Sequence, residues 1–277
     1  MIYEQDLRAY TDSTRILLRA REFICLLPHP GLRKYISNYN ITFPTKDLMP
    51  DRFTEMPCGC GTLTIGNDDR KIAVHLDGPS TRPCLVGNHA NQLKMIITIE
   101  FRPAGLYAIT GIDQWELIDS SMSLDDVVPE LSKALSEITE KTERVDELIS
   151  GVDLLLLKHL SDAYPPQIIR TLGNIVGHAG TIDIRTLSDE IHYSERHLNR
   201  MFRQHVGISA KAFSRLIRLH HAFLLLKNED HSLTFVSDVA GFHDLSHFSR
   251  DFRSVCGITP VEYRENMSDF YINSMKF

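Results

Sequence analysis

Two spacings of apolar residues divide the chain. From residue 14 to about 101, apolar residues fall in short alternating or continuous runs: Ile16–Leu18, Phe23–Leu27, Tyr35–Phe43, Thr62–Ile65, Ile72–Leu76, Cys84–Val86 and Met95–Phe101. Gly, Pro, Asn and Asp stand between the runs, which predicts strands joined by turns in a small antiparallel sandwich or barrel. From Pro103 the spacing becomes helical. Ala104–Thr110 reads as a short helix closed by Gly111, Leu124–Val128 as a turn, and Pro129–Glu140 and Thr142–Leu160 as amphipathic helices. In the last of these, Val145, Leu148, Ile149, Val152, Leu155, Leu156 and His159 form one broad stripe, which fits packing against the sheet or a dimer helix. Tyr164-Pro165-Pro166 then punctuates the chain as a hinge. Residues 167–266 are helical almost throughout. The expected fold class is α+β: a β-rich domain over 1–163 with trailing helices, then an all-α domain over 166–277.

The second half contains an internal repeat. LSDEIHYSERHLNRMFRQHVGISAKAF (187–213) aligns with VSDVAGFHDLSHFSRDFRSVCGITPVEY (236–263), with an offset of 49 that becomes 50 after one extra residue in the second turn. Leu187 matches Val236, Tyr193 matches Phe242, His197 matches His247, Arg200 matches Arg250, Phe202 matches Phe252 and Gly207 matches Gly257. Such self-similarity means one supersecondary unit built twice. Each copy parses as helix, short turn, helix. Ser194 and Asp244 are N-caps, Gly207 and Gly257 stop the second helices, and Thr259-Pro260 opens another. Leu198, Met201, Phe202 and Val206 point inward in the first copy, as do Phe248, Phe252 and Val255 in the second.

The outward faces carry the candidate chemistry. Arg196, Asn199, Arg200 and Arg203 share one face in the first copy; Leu245, Ser246, Ser249, Arg250 and Arg253 do so in the second. Arginine can fork onto guanine, asparagine can pair with adenine, and an apolar side chain can touch a thymine methyl. Arg203 and Arg253 lie further along and suit phosphates. The bland alternative is a solvated polar face on a helical bundle, and the matched arginines in two copies weigh against it. A helix from Ser209 to Leu226 would span about 27 Å. Two recognition helices on such a rod would reach successive major grooves about 34 Å apart, with the shortfall met by bending the DNA.

Charge and composition change this picture little. Net charge is −6 overall, but the 112 residues from Pro166 onward carry 13 Lys and Arg against 12 Asp and Glu, and nine of the 13 histidines. That allows local basic faces and excludes a broadly basic domain. An apolar content of 43% suits packed cores. The longest apolar stretch, Val152–Leu157, is broken by Asp153, so no membrane span is expected. MIYEQDLRAY has no secretion-signal pattern, and five cysteines, an odd number, fit a reduced, cytoplasmic setting.

GFHDLSHFSRDFRSVCGITPVEYR (241–264), preceded by the variant copy at 187–213, resembles the AraC/XylS family of transcription regulators. The resemblance covers about 100 residues. It implies a one-component bacterial regulator in which two helix-turn-helix units, joined by a long helix, bind double-stranded promoter DNA, and an activator that contacts RNA polymerase. Family DNA-contacting positions fall on Arg196, Asn199 and Arg200, and on Leu245, Ser246, Ser249 and Arg250. Asp244 and Asp251 depart from a basic face, which predicts a weaker second unit or one that works through backbone contacts. HPGLRKYISNYN, FRPAG at 101–105 and SLDDVVPEL resemble, more loosely, a sensor-like domain of some relatives. That implies a cupin-like domain for effector response or for homodimerisation.

Other residues offer further candidate chemistry. Arg102 could hold an anionic effector or form a structural ion pair, and Trp115 with Tyr107 and Phe101 could line a pocket or sit in the core. Cys58-Gly59-Cys60 with Cys84, His75 and His89 could be a metal or thiol sensor, but the spacing is not that of structural zinc. No metal, cofactor or catalytic residue is expected, since no G-x-S-x-G, P-loop or G-x-G-x-x-G occurs. The alternatives are an enzyme–regulator fusion with a thiol-reactive first domain, and a DNA-binding module that answers only to protein partners.

Overall fold

A computed structural model describes residues 1–68, 71–161 and 165–266. A four-residue helix, α1 (Asp6–Ala9), precedes the strands β1 (Ile16–Arg19), β2 (Phe23–Leu26), β3 (Ile36–Thr42), β4 (Thr54–Glu55), β5 (Thr62–Asn67), β6 (Ile72–Asp77) and β7 (Cys84–Leu85). A short helix α2 (Gly87–Ala90), strand β8 (Met95–Phe101), helix α3 (Gly105–Thr110) and strand β9 (Ser121–Ser123) follow. Helices α4 (Pro129–Lys141) and α5 (Val145–His159) complete the first part. Seven strands form one antiparallel sheet in the order β1-β2-β3-β8-β5-β6-β9, while β4 and β7 pair apart from it. The expectation of a β-rich region with trailing helices holds. Helices α1, α3, α4 and α5 pack against one face of the main sheet and supply the other half of that core.

Strand register sorts side chains by face. Tyr39, Ile99, Leu63, Leu76 and Met122 form one ladder across β3, β8, β5, β6 and β9, and Ile41, Ile97, Ile65 and Val74 form the next. This face packs on the helices. The opposite face carries two polar ladders, Asn38–Glu100–Thr62–Asp77–Ser121 and Cys25–Asn40–Thr98–Thr64–His75–Ser123. Asn38 and Glu100 are buried there nonetheless. Burying such groups is tolerated when they bond one another. Thr62 Oγ1 donates to Glu100 Oε2 (3.0 Å), Asn40 Nδ2 to Thr98 Oγ1 (3.0 Å) and Thr64 Oγ1 to Asp77 Oδ2 (2.8 Å). Beside the ladders a small apolar cluster, Met49, Phe53, Ala90 and Ile96 with Leu93, covers this face.

The stripe on α5 packs inward. Val145, Leu148, Ile149, Val152 and Leu156 are buried, Leu155 and His159 are half-buried, and the outward residues are polar apart from Leu154. Asp153, the interruption in the apolar stretch, is the anchor. Its carboxylate accepts from Tyr39 Oη (2.8 Å) and the His29 N–H (2.9 Å) and pairs with Arg15 (2.8 Å). It therefore ties α5 to β3 and to the chain entering β1.

The second part is all helical: α6 (Pro166–Gly177), α7 (Ile184–Glu190), α8 (Glu195–Val206), α9 (Ala210–Leu226), α10 (Leu233–Val239), α11 (Leu245–Cys256) and α12 (Pro260–Asn266). The hinge expected at Tyr164-Pro165-Pro166 lies partly outside the described residues, because Tyr164 is not among them; Pro166 opens α6. A second apolar cluster takes in Ile168 to Tyr263 together with Ala104 of the first part. The two parts touch. His220 Nε2 lies 3.0 Å from Pro57 O, the Tyr107 and His205 rings are 4.4 Å apart, and Gly59 sits so close that a Cβ would meet Leu216 at 2.9 Å. Burial holds the His205 imidazole below its ordinary pKa and so neutral. Among the described residues no helix is long and apolar enough to cross a membrane.

Replacing Asp153 by Ala strands Arg15 and the Tyr39 hydroxyl in the interior; chemical denaturation should show a loss of about 3–5 kcal/mol, and a loss below about 1 kcal/mol would contradict the anchor. In the turns, Gly241 (φ +77°) and His192 (φ +58°) occupy matched left-handed positions. Only glycine adopts that region without cost, so His192→Gly should stabilise the protein by up to about 1 kcal/mol, read as a rise in Tm.

Candidate nucleic-acid interface

The two units are built by the same local rules. Ser194 Oγ accepts from the His197 N–H (3.3 Å) at the start of α8, and Asp244 Oδ1 accepts from the His247 N–H (2.6 Å) at the start of α11. Each satisfies a backbone donor that the first helical turn leaves open. Gly207 (φ +95°) and Gly257 (φ +74°) end the same two helices. Ser209 caps α9 through the Ala212 N–H (3.2 Å). Thr259 and Glu262 form a reciprocal capping box at α12, Glu262 Oε2 accepting from the Thr259 N–H (2.7 Å) and Thr259 Oγ1 from the Glu262 N–H (3.2 Å).

Burial then follows the repeat at the matched leucine, phenylalanine and arginine positions. Leu198 and Phe202 in α8, like Phe248 and Phe252 in α11, are fully buried. Arg196, Arg200 and Arg203 on α8 are exposed, as are Ser246, Arg250 and Arg253 on α11. Leu245 is 38% exposed, which leaves it open to an apolar contact outside the protein. Among the described residues none of these five arginines enters an ion pair. Arg200 Nη2 lies 3.1 Å from His197 Nδ1, and Arg250 Nε donates to Ser246 O (3.2 Å). These local contacts hold the guanidinium groups along the helix surface and leave donors free for acceptors beyond it.

Three placements refine the reading from sequence. Asn199 is half-buried, and its Oδ1 accepts from the Ala210 N–H (3.2 Å), so the acceptor that adenine pairing needs is engaged at the start of α9. Ser249, the matching residue in α11, is also half-buried. The two acids are engaged as well. Asp244 is the N-cap, its carboxyl held below the ordinary range by the His247 N–H and then by His243. Asp251 turns to α9, where the Arg215 guanidinium lies 2.6 Å away. Both carboxylates are thus partnered within the chain, Asp251 largely covered and Asp244 at the surface. Arg215 itself was not singled out from sequence, because its partner lies 36 residues away and no local spacing links them.

The residues considered for an effector do not gather. Arg102 donates from Nε to Arg33 O (2.9 Å), making a backbone contact rather than the ion pair considered for it. Phe101 is buried in the helix-side core, Tyr107 lies against His205, and Trp115 is 55% exposed. The polar ladders are a better-formed polar surface, legible only once strand register is known. Cys58 and Cys60 are buried, and Cys58 Sγ donates to Cys60 O (3.5 Å). Cys84 is exposed, and its surroundings raise its thiol pKa, chiefly by desolvation, which disfavours a reactive thiolate. Among the described residues no group of three or more His, Cys, Asp or Glu side chains is placed to hold a metal ion.

Comparison with known proteins adds an independent line. Residues 187–266 match the model of a helix-turn-helix domain. The HTH-type transcriptional activator RhaR of Escherichia coli (strain K12) is 29% identical over 198 residues, covering 67% of this chain and 67% of that protein. Among solved structures, a probable AraC family transcriptional regulator from Rhodopseudomonas palustris CGA009 is 28% identical over 36% of this chain and 94% of its own, with a TM-score of 0.33. ToxT from Vibrio cholerae is 14% identical over 76% of this chain and 88% of its own, with a TM-score of 0.40. The repeat, its caps and the matched stretch agree: residues 187–266 are a helix-turn-helix domain.

Proposed function

We propose that this protein is a sequence-specific DNA-binding transcription regulator with a DNA-binding domain over 166–277 and a sensor or dimerisation domain over 1–163. The carrying observation is the matched pair α8 and α11, each with its apolar face sunk in one core and its arginines exposed. Base contacts fall to Arg196 and Arg200 in the first unit, and to Leu245, Ser246 and Arg250 in the second. Arg203 and Arg253 meet phosphates. Asn199 and Ser249, half-buried, serve the inner edge of each face. Helix α9 has 17 residues and is about 26 Å long, short of the roughly 34 Å turn of B-DNA, so the site bends to meet both units.

An effector, if one is bound, acts through the first domain. The two polar ladders, largely half-buried, support this, since they present hydroxyls, amides and carboxylates suited to a small hydrogen-bonding molecule. As the resemblance to AraC/XylS regulators implies, the protein would act in the cytoplasm and contact RNA polymerase, as a monomer or a homodimer. The enzyme–regulator alternative gains no support from Cys58, which is buried, or from Cys84, whose thiol pKa is raised.

The two arginine roles separate in a binding experiment on sites selected from random DNA. Arg200→Ala should relax base preference at one position and cost about 5–100-fold in affinity for the best site. Arg203→Ala should weaken all sequences alike and lower the salt slope by about 1. An Arg200→Ala protein with unchanged affinity and unchanged preference would refute the assignment.

A further inference from the structure

Both recognition helices attach to α9, but by different chemistry. The first is tied through Asn199, whose Oδ1 accepts from the Ala210 N–H at the first residue of α9. The repeat places Ser249 and Pro260 at the matching positions of the second unit. Proline has no N–H, so that tie cannot exist there. The second unit is held instead from the middle of α9. Arg215 Nε donates to Asp251 Oδ1 (2.7 Å), and its Nη2 reaches both Asp251 O and Ser254 Oγ.

We infer that Arg215 is a positioning residue that sets the rotation of α11 on α9, and through it the spacing of the two DNA half-sites that the protein accepts. This rests on the DNA-binding reading above.

Phe223 of α9 packs on Phe252 of α11, ring centroids 5.3 Å apart, and such apolar contact fixes separation without fixing direction. Arg215 grips two residues three apart, Asp251 and Ser254, which lie on one side of α11. A planar guanidinium held at two points resists rotation of the helix about its own axis, where one point would act as a pivot. Neighbouring helical residues are about 100° apart around the axis. Holding Asp251 against α9 therefore turns Arg250 away from it, toward the outer surface. The Arg215 side chain is 43% exposed and Asp251 16%, so the pair is partly screened and adds little to stability. Its effect is on orientation.

The test uses the full chain and the duplex it enriches from a random pool. The stretch between half-sites is then lengthened or shortened by one base pair, which moves the second groove by about 3.4 Å and turns it by about 35°. The parent should lose on the order of tenfold in affinity at either altered spacing. Arg215→Met keeps most of the stem and removes the fork. It should keep the parent's base preference within each half-site and bind the three spacings within about threefold of one another. Asp251→Ala should give the same flattened profile, and the double variant no more. Tm should fall by no more than a few degrees in Arg215→Met, about what an exposed pair supplies. If Arg215→Met folds poorly, Asp251→Ala carries the same comparison. Variants that keep the parent's spacing profile overturn the inference and leave the DNA-binding reading standing. A parent that enriches no sequence overturns both.

Discussion

A helix-turn-helix unit is too small to bury its own apolar face, and both units here solve that by sharing α9. Phe213, Leu216, Leu219, Ala222, Phe223 and Leu226 of that helix are all buried, in one cluster with Leu198 and Phe202 from the first unit and Phe248 and Phe252 from the second. Each such side chain contributes roughly 1.5–3 kcal/mol when fully buried, well beyond what the screened Arg215–Asp251 pair supplies. Apolar burial thus makes the two units one body. The polar contacts, Asn199 to Ala210 and Arg215 to Asp251, decide how each recognition helix is turned on it.

The first part of the chain meets this body where its orientation matters. Gly207, the end of α8, lies so close to the turn at 114–117 that a Cβ would approach Gln114 O at 3.0 Å. Gly59 presses on Leu216 and Ile208, and His205 lies buried against Tyr107. These contacts fall between the first recognition helix and α9. The arginines sit on the exposed face of α8 and the junction at its buried side and C-terminal end. Asp153 adds stiffness further back, since it joins α5, β3 and the start of β1 in one hydrogen-bonded knot.

Much of the second part was legible because its signals are local. Ser194, Asp244, Gly207 and Gly257 cap or stop the helices they were expected to cap or stop. The alignment also put His192 opposite Gly241, and both are left-handed. The strands Ile16–Leu18 through Met95–Phe101 were readable from alternation, but their order was not. Pairing β3 with β8 joins residues about 60 apart, and nothing in the spacing of Asn38 or Glu100 announces that they sit side by side. Ser121–Ser123 and Thr54–Glu55 are too short and polar to read as strands. Cys84–Val86 was readable, yet its strand, Cys84–Leu85, pairs with β4 outside the main sheet. By type alone Trp115 suits either a pocket or the core, and its exposure depends on packing that the local sequence does not encode. Asn199 was read by its chemistry as a base reader; which group takes its oxygen is a tertiary fact.

The central claim is that α8 and α11 present their arginines to the same side of one duplex. Chemical footprinting of the full chain on its selected site tests this most directly, through methylation of guanine N7 in the major groove and hydroxyl-radical cleavage of the backbone. The account predicts two protected major-groove patches centred about one helical turn apart, roughly 34 Å, on one face of the duplex. A single patch, or two patches on opposite faces, would contradict it.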